Sequence, residues 1–226
     1  MTSPIKGFSL SPYPAGSLTQ YFGENKALYS ANVCHYGKCL QGHNGLDIVA
    51  PWGTPIFAVE GGVVCDVKSS PDGYGMHVRV LSSVAGNPSE YREWTYGHLS
   101  RIDVTPGTWL TEGQQLGLMG NTGFVVSGAT PYWEVNPFAG THLHLGVRRF
   151  IANDRDYTIS YLSSYRGNIA EYENGFLGAI DPASLLKGTS RGPVHQDQLL
   201  TFISILNQTA ELLRKMIRMK GGVPVR

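Results

Sequence analysis

The chain has 226 residues, a formal net charge of +1 at pH 7 and 15% charged side chains. That length is ample for one cored domain with an appendage, and the balanced charge gives no electrostatic footprint for nucleic acid. No stretch reaches the unbroken apolar run that a transmembrane helix needs.

Twenty-eight glycines and thirteen prolines, set among Val, Thr, Tyr and Trp, favour a mostly β fold with many turns. Residues 1–16 read as a lead-in without the apolar centre of a secretory signal peptide. From Leu18 to Gly42 the expectation is a strand around Thr19 to Gly23 followed by a long loop. That loop carries Cys34 and Cys39, two of three cysteines, close enough in sequence to close a small ring if oxidised. His35 between them suggests a structural metal site such as zinc takes, but two thiols and one imidazole leave it a ligand short. Cys65 lies in an apolar strand and reads as buried.

Thr54 to Val59 and Val63 to Lys68 alternate well enough for antiparallel pairing, Pro71 to Gly75 is a turn, and Met76 to Val80 resumes the alternation. Ser82 to Glu93 reads as a polar connection, and Trp94 to Leu99 as a strand. Pro106-Gly107 and Glu112-Gly113 are turns. Gly117 to Gly123 is a glycine-rich run where backbones approach closely. With no lysine and no helix after it, that run is not a phosphate cradle.

The chemistry concentrates in two places. In Thr141-His142-Leu143-His144-Leu145-Gly146-Val147, strand alternation puts His142 and His144 on one face, about 7 Å apart, with Leu143, Leu145 and Val147 on the other. Alone, such a pair is either a polar strand edge or part of a metal site. Upstream, Gly42-His43-Asn44-Gly45-Leu46-Asp47 places a His and an Asp four apart around Gly45, which lets the backbone turn so that both converge on one cation. Asp47 also suits a turn residue bonding its own backbone. A catalytic zinc keeps three protein ligands and an open fourth position, and His43, Asp47 and His144 would make that set.

Taken in order, His43-x-x-x-Asp47, Tyr96-Gly97-His98-Leu99-Ser100, the glycine pattern from Gly113 to Gly123, and His142-Leu143-His144 resemble the lysostaphin-type zinc metallopeptidases, the LytM or M23 family. Ala50 to Ile56 and Ala58 to Val64 resemble the segments that lie between those motifs, and Gly178 to Leu186 resembles the family's closing element. The resemblance covers roughly residues 17–186. It implies an antiparallel LytM-like β-sheet domain with Gly-rich loops. It further implies one zinc per chain on His43, Asp47 and His144, with His142 as general base and His98 as the catalytic histidine that stabilises the charge on the carbonyl oxygen or shares the proton transfers. The substrate it implies is a peptide cross-bridge or stem peptide of bacterial peptidoglycan, cut by metal-activated water.

On the same resemblance His77 is ordinary strand surface, and a Cys34–Cys39 disulfide would rigidify a wall of the active site. Phe124 to Gly140 is longer than the family's usual spacing and forms a loop beside the cleft, whose Tyr132, Trp133, Asn136 and Phe138 either pack as a satellite core or grip substrate. Asn44, Tyr132 and Trp133 are the substrate-binding candidates. Such an enzyme acts on the cell wall, in the periplasm or outside the cell. Without a signal peptide, a phage product released by a holin or carried on a virion fits, as do removal of a signal and an added methionine.

Two other readings compete. A metal-free LytM-like module that only binds a partner is disfavoured because all five motif residues are present. A biotinyl or lipoyl carrier is suggested by Gly62-Val63-Val64 and Gly113 to Gly117 but lacks the lysine at a hairpin tip.

Residues 187–226 differ in kind. Leu199, Phe202, Ile203, Leu206, Leu213 and Ile217 recur with a period near 3.6, predicting an amphipathic helix over 194–220 stopped by Gly221-Gly222. It would pack on its own domain, self-associate, or contact a membrane through Arg214, Lys215, Arg218 and Lys220. Its heptad seam is too short for a coiled coil.

Overall fold

A computed structural model describes residues 1, 3–6, 17–35, 37–127, 130–131, 136–151 and 169–186. The C-terminal helix expected over 194–220, and Tyr132 and Trp133, lie outside the described residues.

The fold is mostly β. Seven antiparallel strands make the main sheet: β1 (Ser17–Gln20), β4 (Leu46–Val49), β6 (Gly62–Lys68), β7 (His77–Val84), β8 (Asn87–Gly97), β10 (Trp109–Leu110) and β14 (Leu143–Ile151). Their spatial order is β1-β4-β14-β8-β7-β6-β10. A three-stranded sheet is ordered β5 (Pro55–Phe57), β11 (Gln115–Met119), β9 (Leu99–Ile102). Two short hairpins complete it, β2 (Cys34–His35) with β3 (Lys38–Cys39) and β12 (Val126–Ser127) with β13 (Thr130–Pro131).

Alternation explains where the core sits. Leu46 and Ile48 of β4, Leu143, Leu145 and Val147 of β14, Trp94 and Tyr96 of β8, and Val78 and Val80 of β7 meet Ile56, Leu99, Leu116 and Met119 from the small sheet. Each such fully buried side chain contributes roughly 1.5–3 kcal/mol by removal from water. Ile5, at 3% exposure, joins this core from the lead-in, and the Phe57 N–H donates to Pro4 O at 2.9 Å. The opposite face carries a smaller cluster of Val63, Cys65, Leu81 and Phe150. Cys65 is a free, buried thiol, which burial pushes well above its usual pKa.

Four expectations are corrected. Lys26–Asn32 is a short helix, α1, where a loop is expected. Ser82 to Glu93 is not a connection: β7 and β8 run through it as one hairpin, and its polar side chains pair across strands. Arg92 Nη1 and Trp94 Nε1 donate to the two oxygens of Glu60 at 2.8 and 2.9 Å. On the other face Glu93, fully buried, accepts from Arg148 Nε at 3.1 Å and from Arg148 Nη2. His77 is 5% exposed rather than strand surface, because Tyr74 covers it with ring centroids 5.8 Å apart. Finally, β5 pairs with β11 while β6 pairs with β7 and β10, so the two adjacent strands belong to different sheets.

Candidate active site

Asp47 on β4 and His144 on β14 are direct register partners. Their neighbours Leu46, Ile48, Leu143 and Leu145 all turn into the core with no exposure, so Asp47 and His144 turn to the opposite face. His43 arrives from the preceding loop. Its Nδ1–H donates to Tyr21 O at 3.2 Å, which aims Nε2 at the other two.

Three atoms then form a nearly equilateral triangle. His43 Nε2 lies 3.0 Å from His144 Nδ1, and both lie 3.1 Å from Asp47 Oδ1. A tetrahedral zinc with bonds of 2.0–2.2 Å has ligand–ligand edges of about 3.3 Å, so one face of such a tetrahedron fits these atoms with small outward shifts. Two imidazole nitrogens and one carboxylate oxygen are also donors that zinc accepts. Among the described residues, this is the group of His, Cys, Asp and Glu side chains that could hold a metal ion. The other candidate, His35 with two thiols, is removed because Cys34 and Cys39 form a disulfide.

Gly45 earns its place for a reason other than turning. Its φ is not in the left-handed region, but a Cβ there would lie 2.6 Å from both His144 Cε1 and Leu145 O. Only glycine lets the loop close over the His144 ring. That packing also leaves His144 Nε2 buried without a partner, so Nδ1 is its working nitrogen.

His142 and His98 line the same place. His142 Nδ1–H donates to Gly140 O at 2.7 Å, and its Nε2 stands 3.7 Å from Asp47 Oδ2. His98 sits at the corner between β8 and β9 with φ 61°, a left-handed backbone that costs about 1–2 kcal/mol outside glycine. Its N–H donates to Tyr74 O at 2.8 Å and its Nδ1–H to Thr122 O at 2.7 Å. The ring lies 4.5 Å from that of His142 and 6.1 Å from that of His144.

Electrostatics follow from burial. Burial pushes His144 down to about 4, although its hydrogen bond to Asp47 works the other way. Burial, aided by the charges of His142 and His144, holds His98 well below the usual imidazole range. Burial alone would raise the Asp47 carboxyl, but the neighbouring His43 and His142 and the bonds from His144 and His43 outweigh it and hold Asp47 well below the carboxylate range.

The structure thus brings His43, Asp47, His144, His142 and His98 together. Asn44 is adjacent, but its amide is engaged, donating from Nδ2 to Tyr74 Oη at 2.8 Å. Two residues that sequence reasoning passed over pack on imidazoles of the triangle: Tyr74, 4.8 Å from the His144 ring, and Tyr29, 5.6 Å from the His43 ring. Tyr74 could have been noticed in its glycine-flanked turn; nothing in the sequence marks Tyr29. At the rim, Phe138 is 60% exposed and packs edge-on against Trp52 at 5.5 Å.

Comparison with known proteins bears on this site. Residues 41–157 match the model of Peptidase family M23. The peptidoglycan DD-endopeptidase ShyA of Vibrio cholerae is 36% identical over 102 residues, 45% of this chain and 19% of that protein. Lysostaphin of Staphylococcus simulans is 32% identical over 82 residues, 36% of this chain and 16% of that protein. The match therefore spans less than a fifth of either relative, by the 19% and 16% just given. Among solved structures, a mutant catalytic domain of the prophage-encoded M23 protein EnpA from Enterococcus faecalis is 28% identical, with 66% of this chain and 95% of that chain covered and a TM-score of 0.41.

Proposed function

We propose, because the chain belongs to peptidase family M23, that it is a zinc-dependent endopeptidase hydrolysing a peptide bond of bacterial peptidoglycan. The observation that carries this reading is the triangle of His43 Nε2, Asp47 Oδ1 and His144 Nδ1 with edges of 3.0–3.1 Å beside two further histidines. The names of the relatives support the wall as substrate, and with it cleavage outside the cell membrane.

His43, Asp47 and His144 would hold the metal. Bound there, zinc would lower the pKa of a water molecule and polarise the scissile carbonyl. The low pKa of Asp47 keeps it a carboxylate, and burial keeps His144 neutral, so both are ready to ligate without losing a proton. His142, with Nδ1–H fixed on Gly140 O, turns a bare Nε2 toward the cleft and takes the proton of the attacking water.

His98 has its Nδ1–H committed to Thr122 O, so its neutral Nε2 is an acceptor. Its depressed pKa favours that form. This argues for sharing the proton transfers with His142, rather than for donating to the oxygen of the carbonyl. Tyr74 accepts a hydrogen bond from the Asn44 amide on its hydroxyl and packs its ring on that of His144.

The test is elemental analysis of the purified protein together with release of new amines from purified cell walls, before and after chelation. About one zinc per chain and chelator-sensitive release are expected. Metal-free protein that releases amines as fast as the loaded form would overturn the zinc mechanism.

A further inference from the structure

The segment between Gly23 and His43 owes little to the main core, yet it supports one corner of the site. Its ends are fastened to each other: Gly23 N–H donates to His43 O and His43 N–H to Glu24 O, both at 2.8 Å. They approach so closely that a Cβ on Gly42, whose φ is 149°, would stand 2.5 Å from Gly23 O.

Inside this insert, α1 has seven residues, no buried side chain and no side-chain cap from Asn25. Leu28 is 59% exposed. A helix that short does not hold itself in water. Support comes directly after it. Val33 N–H donates to Tyr29 O and Leu40 N–H to Val33 O, each at 2.9 Å, and between them the facing residues Cys34 and Cys39 of the β2–β3 hairpin are joined by the disulfide. The hairpin is moored outward by Gln41 N–H on Gly175 O at 2.8 Å and by the Lys38–Glu173 ion pair. Inward, Tyr29 lies with its ring 5.6 Å from that of His43, its hydroxyl donating to Gln20 Oε1 at 3.5 Å. His43 is 1% exposed: Tyr21 O holds its Nδ1–H, and Tyr29 packs on its ring.

We propose that the disulfide-closed insert is a clamp on His43, with Tyr29 as a positioning residue, so that the affinity of the site for its metal depends on the oxidation state of Cys34 and Cys39. The proposal rests on the zinc reading above. When the disulfide takes up two electrons and two protons, the S–S bond breaks and two S–H bonds form; a phosphine supplies the electrons and becomes the phosphine oxide with the oxygen of water. The cross-strand link is then gone, α1 loses its C-terminal anchor, and Tyr29 no longer fixes the His43 ring. Loss of an outer support of this kind costs typically 10–100-fold in metal affinity. An oxidising wall environment would keep the clamp closed, and a reducing cytoplasm would open it.

The test is zinc affinity of the full chain by competition with a chromogenic chelator, with thermal unfolding of the metal-free protein run in parallel. The samples are oxidised protein, phosphine-reduced protein, the Cys34→Ser/Cys39→Ser double variant, Tyr29→Ala and Tyr29→Phe. Oxidised protein is expected to bind one zinc. Reduction, the double variant and Tyr29→Ala each weaken it about 10–100-fold, Tyr29→Phe stays within about twofold because the ring remains, and the unfolding transition persists in all five. Equal affinity in oxidised protein, reduced protein and Tyr29→Ala overturns the clamp while leaving the peptidase reading intact. Loss of the unfolding transition in Tyr29→Ala also overturns it, since Tyr29 would then be a core residue. Absence of zinc binding by the oxidised protein overturns the metal reading and the clamp together.

Discussion

Asp47 and His144 stand on the sheet, whereas His43 stands on a loop. The first two are register partners on β4 and β14, backed by Leu46, Ile48, Leu143 and Leu145 at no exposure. His43 is placed by one bond to Tyr21 O, two backbone bonds to Gly23 and Glu24, and the Tyr29 ring. The three donor atoms are equally spaced, yet their supports differ in strength. Each buried core side chain behind the sheet pair is worth roughly 1.5–3 kcal/mol, while a hydrogen bond nets about 1 kcal/mol. The sheet pair therefore keeps its geometry without the metal, and the loop-borne histidine is where the site gives way first.

The largest effects come from removing side chains at the triangle and beside it. His144→Ala is expected to abolish both zinc binding and amine release from cell walls, by elemental analysis and by assay. His142→Ala should retain about one zinc per chain and lose about 10²–10⁴-fold in rate, the usual share of a general base. Full activity in the His142 variant would refute the base assignment, and loss of zinc would make His142 a ligand.

A pair of glycine substitutions separates the two supports more finely. Gly45→Ala drives a methyl to 2.6 Å from the His144 ring and the Leu145 carbonyl, inside the sheet. It should cost about 1–3 kcal/mol of unfolding free energy, as overpacking does, and weaken zinc as well. Gly42→Ala drives a methyl to 2.5 Å from Gly23 O, at the base of the insert. There zinc affinity should fall while urea unfolding of the metal-free sheet changes by less than about 1 kcal/mol, since few core contacts are involved. Equal destabilisation by the two would mean that the insert and the sheet unfold as one unit.

How much of this was legible in the sequence follows the same division. The strands that bear Asp47 and His144 could be read because period-two alternation of Leu, Ile and Val is a core signal. Ser82 to Glu93 was not legible because its inward and outward positions are filled by Arg92, Glu93 and Glu90, whose partners Glu60, Arg148 and Arg149 lie far away in sequence. A strand held by cross-strand ion pairs looks like a polar connection until the pairing is known. His77 read as surface because its cover, Tyr74, comes from a turn. Helix α1 was hidden because none of its side chains is fully buried and its start is uncapped, so neither periodicity nor a capping signal exists to be read. Gly45 was noticed for the wrong reason: the sequence suggests a turn, while the contact that requires glycine is with a residue about a hundred positions away.

The remaining effect concerns pH, and it separates the regions once more. Burial lowers the pKa of His77 and His98 as well as that of His144, which it takes to about 4, and all three lie on the sheet or at its corner. In the unfolded chain each titrates near 6.5. Below that value the unfolded state binds protons that the folded state refuses, so stability is complete above pH 6.5 and declines as pH falls toward 4. For His144 alone the slope approaches 1.4 kcal/mol per pH unit, or about 1 kcal/mol between pH 6.5 and 5.5. Urea unfolding of the metal-free protein at pH 7.5, 6.5 and 5.5 should show that decline. His77→Phe should flatten it by the share of one imidazole, whereas Tyr29→Ala should leave it unchanged because the insert holds none of the three. A stability that stays level down to pH 5.5 would mean that these imidazoles are hydrated in the folded state, and the contrast between a rigid sheet pair and a yielding loop would lose its electrostatic half.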